Sequence, residues 1–178
     1  MQDTRVLVAG AGLAGCEAAW ALAEEGIPVL LADSKPGRMS PAHRSVNFGE
    51  LVCSNSLKAA RLDSAAGLLK EEMRRLGSLC MAVVADCAVP AGGALAVDRE
   101  RFSAGITRRL RAHPLIRVEE RELTELPGEG AAVIATGPLT LDTLAARLKE
   151  RCGGALSFFD AAAPIVTAES VDGERAFR

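Results

Sequence analysis

An α/β fold with a parallel sheet and flanking helices is predicted from three features of this 178-residue chain. Short apolar runs, Val6 to Ala9, Pro28 to Ala32 and Ala131 to Ala135, read as strands buried on both faces and are separated by stretches of helical period. The first run passes directly into Gly10-Ala11-Gly12-Leu13-Ala14-Gly15, a G-x-G-x-x-G turn, and the second delivers an acidic residue, Asp33. Strand, glycine turn, helix, strand and acid together describe a Rossmann-like nucleotide-binding unit. In that unit the helix N-terminus faces a pyrophosphate and the carboxylate accepts hydrogen bonds from a ribose.

The remaining elements follow in chain order. The helix opening at Leu13 carries Leu13, Cys16, Trp20 and Ala23 on its apolar face and ends at Gly26. From Ser34 to Ser56 neither period is sustained, which predicts a long loop, and loops of that length in compact domains are usually functional or disordered. A helical stretch is expected from Ala65 to Ala85, capped by Asp63, with Leu68, Leu69, Met73, Leu76, Leu79, Cys80, Val83 and Val84 forming one apolar stripe that Gly77 bends or divides. Its Lys70 to Arg75 segment reads as a solvated face of alternating charge. Ala94 to Val97 leads to Asp98, an N-cap for a helix with Phe102, Ile106 and Leu110 at spacing four, stopped by His113-Pro114. Ile116 and Val118 alternate as a strand, Leu123 to Leu126 suggests another, and Ala131 to Ala135 ends in Thr136-Gly137-Pro138. Thr140 is the expected cap of a last helix, Leu141 to Arg151, closed by Gly153-Gly154.

Composition narrows the function classes. Hydrophobic residues make up 49% and charged residues 25%, enough for one domain with a real core. A net charge of -2 gives no general affinity for nucleic acid, so any RNA contact is local. No apolar run approaches a membrane span, and the first strand starts too near Met1 to leave room for a signal peptide. Five cysteines without a C-x-x-C pair indicate neither a disulfide framework nor a metal site. A cytoplasmic protein without metal is expected.

Several segments resemble the folate- and FAD-dependent tRNA (uracil-5-)-methyltransferases: Val8 to Gly15, Pro41-Ala42-His43, Glu50 to Leu57 with Cys53-Ser54-Asn55-Ser56, Gly67 to Arg75, Val89 to Arg99, Ala135 to Thr140 and Phe159 to Val166. They span nearly the whole chain. Asp33 stands where Glu is expected, Cys16 where a smaller residue is usual, and Arg44 where a second histidine often follows. The resemblance implies an FAD-binding Rossmann-like three-layer domain over residues 1–178, the N-terminal portion of a larger flavoprotein whose inserted α/β domain, second cysteine and C-terminal remainder lie further on. The chain alone is therefore expected to be inactive.

What the resemblance implies chemically is methylation of the T-loop uridine of tRNA at C5. Methylenetetrahydrofolate is the one-carbon donor, FAD the bound cofactor and NAD(P)H the reductant. Uracil C5 becomes nucleophilic only after a thiolate adds at C6, which calls for an activated cysteine. Cys53 is the match, in a loop with His43, Arg44 and Lys58 nearby in sequence, and His43 is a secondary catalytic candidate. Gly10, Ala11, Gly12, Leu13, Ala14, Gly15, Asp33, Thr136 and Gly137 are the expected cofactor residues. Asp98 is explained as an N-cap, while the resemblance puts Arg99 near the flavin or pyrophosphate, and Ala161 to Pro164 beside a pterin or flavin edge. Cys16, Cys80 and Cys87 read as packing residues, and Cys152 lies beside a helix end. The alternatives are a sister flavoprotein that modifies the wobble uridine of tRNA, against which the Cys-Ser-Asn-Ser loop argues, and a non-catalytic FAD-binding module.

Overall fold

The computed structural model describes residues 5–40 and 42–154. The segments Phe159 to Val166 and Ala161 to Pro164, and Pro41, lie outside the described residues. Strand β1 (Val6–Ala9) turns at Gly10 into helix α1 (Leu13–Glu24), which ends at Gly26 and returns as β2 (Val29–Asp33). β1 and β2 pair in parallel, β6 (Ile116–Glu120) extends the sheet beside β2, and β7 (Ala132–Ile134) pairs in parallel with β1 from the other side. The order is β6-β2-β1-β7. The chain crosses from one side of β1 to the other between β6 and β7, and the crevice at such a switch point is where open α/β sheets bind ligands.

Alternation and register place Val8, Val29, Leu31, Ile116 and Val118 on one face of this sheet, where they join the core with α1 and α4 (Arg99–Ala112). Phe102, Ile106 and Leu110 of α4 are fully buried at the spacing the sequence gives, and Asp98 caps α4 by accepting the N–H of Arg101 at 3.0 Å. A second, antiparallel sheet of order β3-β5-β4 joins β3 (Ser56–Ala59), β5 (Ala94–Val97) and β4 (Ala88–Val89).

The expected helix from Ala65 to Ala85 is two helices, α2 (Ala65–Arg75) and α3 (Leu79–Cys87). Gly77, at φ +77°, breaks the run, so the two halves keep separate rotational phases and the single stripe dissolves. α3 buries Leu79, Cys80, Met81, Val83, Val84 and Cys87, whereas Leu68, Leu69 and Leu76 of α2 are 50%, 56% and 87% exposed. α2 packs on the core through Met73 and carries Lys70, expected to be solvated but buried here, whose ammonium donates to the Leu57 carbonyl of β3 (2.6 Å) and to the Ala66 carbonyl of α2 itself (2.7 Å). Its cap is Ser64, not Asp63: the Ser64 hydroxyl accepts the N–H of Gly67, while Asp63 pairs with Arg61.

Three smaller expectations are also corrected. Leu123 to Leu126 forms no strand. The run at Ala131 to Ala135 is half-exposed rather than buried, because β7 is an edge strand of the described sheet. α5 (Asp142–Arg151) starts at Leu141 without a side-chain cap, since the Thr140 hydroxyl donates back to the carbonyl of Gly137 at 2.7 Å.

One long-range contact ties the helical layer together. The Glu17 carboxylate of α1 accepts from Ser78 Oγ (2.6 Å), Cys80 N–H (2.8 Å) and Leu79 N–H (3.2 Å), satisfying the N-terminal donors of α3 from outside that helix. Removing it strands those donors between two packed helices. Glu17→Ala is expected to lower unfolding free energy by about 1–3 kcal/mol in urea titrations, with Glu25→Ala, on the exposed end of α1, within about 0.5 kcal/mol of wild type.

Candidate functional site at the carboxyl ends of the central strands

Three close approaches bring the strand ends together. A Cβ on Gly15 would lie 1.8 Å from the Gly10 carbonyl oxygen, so only glycine lets α1 sit this tightly on the turn. Gly10 has φ +95°, and a Cβ there would meet the Ala135 carbonyl oxygen at 2.6 Å. The Thr136-Gly137 turn is thereby held against the first glycine turn, on the same edge of the sheet, as the right-handed α/β topology requires. Gly12 differs: a Cβ built there meets nothing within 4 Å.

The space Gly12 leaves open belongs to a cavity of about 310 Å³. Its floor is Ala9, Gly10, Gly12, Leu13 and Ala14. Asp33, Ser34 and Lys35 line the end of β2, and Ala135 to Leu141 with Leu144 line the β7 side. Ser40, His43, Glu50 and Val52 come from the long loop, and Glu122 and Leu123 from beyond β6. The first N–H groups of α1 have no acceptor within the helix, so an anion in the cavity gains both hydrogen bonds and the helix dipole. Of the expected cofactor residues, Gly10, Gly12, Leu13, Ala14, Asp33, Thr136 and Gly137 line the cavity. Ala11 and Gly15 lie behind it and act through the backbone.

Asp33 ties two elements together. Its Oδ2 accepts the Ala11 N–H at 2.6 Å and its Oδ1 the Lys35 N–H at 2.9 Å, so it fastens the glycine turn to the end of β2. A carboxylate has about four acceptor sites, which leaves capacity for a diol. Lys35, 4% exposed, donates its ammonium to the Asn47 carbonyl and lines the cavity. The Glu50 carboxylate accepts the N–H groups of Arg44 (2.9 Å) and Ser45 (3.2 Å), and fixes the loop just after His43. Ser40 Oγ lies 2.6 Å from His43 Nδ1. Lys35, Glu50 and Ser40 carry no local signal that marks them as site residues. Asp33 was legible through its distance from the glycines, but its bond to Ala11 was not.

The comparisons with known proteins agree with this geometry. The family model described as "Glucose inhibited division protein A" matches residues 5–178. The chain belongs to the glucose inhibited division protein A family. Two crystal forms of GidA from Aquifex aeolicus have the same fold, each with TM-score 0.61 at 16% identity over 75% of this chain and 25% of that one. Among curated proteins, the "Methylenetetrahydrofolate--tRNA-(uracil-5-)-methyltransferase TrmFO" of Desulfitobacterium hafniense is 61% identical over 173 residues and that of Geobacter sulfurreducens 57%. Both matches cover 97% of this chain and 40% of the relative, so the chain spans about two fifths of their length. These relatives bear out the resemblance read from the motifs.

For a member of this family, the placement of the remaining candidates is informative. Cys53 is exposed and follows Val52, a cavity residue, without lining the cavity itself. Arg99 is the exposed first residue of α4 and is not brought to the cavity, because the Asp98 cap sets the helix start away from the strand ends. Among the described residues no group of three or more His, Cys, Asp or Glu could hold a metal ion, and no helix is long and apolar enough to cross a membrane.

The cysteines divide by environment. Burial pushes the Cys16 thiol up to about 12, aided by Asp33 and Glu17 and opposed by Lys35. Burial also raises Cys80, with Glu17 adding to it, and Cys87. Thiols held protonated inside a core do not act as nucleophiles at neutral pH. Brief iodoacetamide treatment of the folded protein near neutral pH is expected to label the exposed Cys53 and Cys152, and to leave Cys16, Cys80 and Cys87 unmodified until denaturant is added, as read by peptide mapping.

Proposed function

We propose that this chain carries the FAD-binding part of a methylenetetrahydrofolate-dependent tRNA (uracil-5-)-methyltransferase, which converts the T-loop uridine to ribothymidine. The observation that carries the reading is the cavity at Gly12, where glycine leaves an open cradle beside the α1 N-terminus and Asp33 stands at the end of β2. The names of relatives at 57% and 61% identity favour this activity over that of GidA, whose structures are 16% identical. NAD(P)H is the proposed reductant, tRNA and folate the substrates, and the cytoplasm the compartment that contains them.

The residues present fit a flavin dinucleotide. The N–H groups of Leu13 and Ala14 would hold its pyrophosphate, Asp33 its adenosine ribose, and the Thr136-Gly137 turn would bound it on the β7 side. Bound FAD would relay the one-carbon unit from methylenetetrahydrofolate and supply reducing equivalents. Cys53, exposed where a large nucleic acid can reach it, is the proposed thiol for the uracil ring. His43, lining the cavity a short loop away, is the proposed second catalytic group.

The whole activity is tested by supplying purified protein with tRNA, labelled methylenetetrahydrofolate, FAD and NADH. The 178-residue chain is compared with a chimera joining it to the part of the Desulfitobacterium relative that it does not span. The chimera is expected to be yellow and to form ribothymidine. A chimera that binds FAD yet transfers no labelled carbon to uridine would overturn the methylation reading. In the same chimera Gly12→Leu is expected to keep the FAD-free melting temperature, because its Cβ direction is open, while abolishing flavin retention by filling the cradle. Cys53→Ala should retain flavin and lose ribothymidine.

A further inference from the structure

His43 is one of two histidines in the chain and lies in the loop that walls the cavity. Its surroundings offer one of its ring nitrogens a partner. Ser40 Oγ accepts the Ala42 N–H at 3.3 Å, and the His43 N–H donates to the Ser40 carbonyl at 3.1 Å, so the hydroxyl and the ring are clasped in one tight turn. The hydroxyl has one proton to give. Among the described residues its one acceptor is His43 Nδ1, 2.6 Å away.

A neutral imidazole that accepts at Nδ1 carries its proton on Nε2. If the ring is protonated, Nδ1–H donates to the same Ser40 oxygen, which has lone pairs to receive it, and Nε2 keeps its proton. With Ser40 as the donor in the neutral form, Nε2–H is a donor in both charge states. Nε2 has no hydrogen-bond partner among the described residues, and every buried side-chain nitrogen or oxygen there is bonded, so this N–H is not sealed inside the protein. Nor do the carboxylates that line the cavity claim it: Asp33 holds the Ala11 and Lys35 N–H groups, Glu50 those of Arg44 and Ser45, and Glu122 the Arg38 guanidinium.

We propose that Ser40 is a positioning residue that locks His43 as a permanent Nε2–H donor toward the cavity, where it takes an anionic or carbonyl oxygen of the bound ligand. His43 then acts as a donor to developing negative charge rather than as a base. The ligand half of this proposal rests on the flavin reading above; the tautomer half does not.

The two halves are separated by measuring the imidazole directly. In protein labelled with ¹⁵N-histidine, with His113→Gln assigning the signals, His43 is expected to show protonated Nε2 and unprotonated Nδ1 in its neutral form. Ser40→Ala should give a mixture of tautomers, and Ser40→Thr, which keeps the hydroxyl, should restore the single form. A neutral His43 protonated at Nδ1, or a Ser40→Ala spectrum identical to wild type, overturns the proposal.

Adding ADP and FAD in separate samples then locates the acceptor. A shift of the Nε2–H signal with both supports a phosphate oxygen, and a shift with FAD alone supports one on the flavin side. FAD binding that leaves Nε2–H unmoved overturns the ligand half. Failure to bind FAD at all sinks the cofactor reading, while the tautomer result still decides the role of Ser40. His43→Phe is expected to weaken FAD about three- to tenfold, the worth of one hydrogen bond, with His43→Gln, which retains a side-chain N–H, recovering most of that loss.

Discussion

The site depends on how closely backbone can approach backbone at the carboxyl end of β1. With Gly15 against the Gly10 carbonyl and Gly10 against that of Ala135, helix α1 and the β7 turn converge on one point, and no side chain fits between them. A methyl group at either position would push α1 or β7 outward and take the cavity apart. The parallel register of β1 with both β2 and β7 carries the same constraint into the sheet, since it aligns the strand ends that the turns extend. Tight packing at Gly10 and Gly15 and empty space at Gly12 are therefore two sides of one arrangement: the outer glycines bring the walls together and the middle one keeps the space between them usable.

Asp33 adds the second layer of this arrangement. An acid at the end of β2 is the usual ribose acceptor, but here it first fastens the glycine turn, through Ala11, to the strand that delivers it. The glycine turn and the start of the following loop thus share one side chain. Aspartate in place of the longer glutamate is consistent with this dual use, because a short side chain reaches the Ala11 N–H directly. The cost of losing Asp33 would accordingly appear in the shape of the glycine turn.

Much of this was legible in the sequence, for reasons that differ by residue. Gly10 to Gly15, Asp33 and the Phe102-Ile106-Leu110 spacing are local patterns whose meaning does not depend on distant partners. The Asp98 cap was legible for the same reason. The Ala65 to Ala85 stripe failed because periodicity assumes one continuous helix, and a single left-handed glycine resets the phase. Lys70 and Glu17 were opaque because their roles rest on acceptors and donors 13 and about 60 residues away. The resemblance brought Cys53 and His43 to attention and included Glu50 without a role, yet it gave no hint of Ser40, which matters only once the loop has a shape.

That loop explains how a segment without secondary structure can still hold chemistry in place. Gly49 N–H donates to the Ala11 carbonyl at 2.8 Å, Phe48 N–H to Thr107 Oγ1 at 2.8 Å, and Asn55 Nδ2 to the Val97 carbonyl at 3.2 Å, while Phe48 and Leu51 are buried in the core. The first of these bonds lands on the same residue that Asp33 holds from the other side. Ala11 is therefore a junction: its N–H secures the turn to β2 and its carbonyl secures the loop to the turn. Cys53 lies between the anchors at Leu51 and Asn55, exposed but tethered on both sides within a few residues. A group in that position can face outward while its distance from the cavity is set by the core.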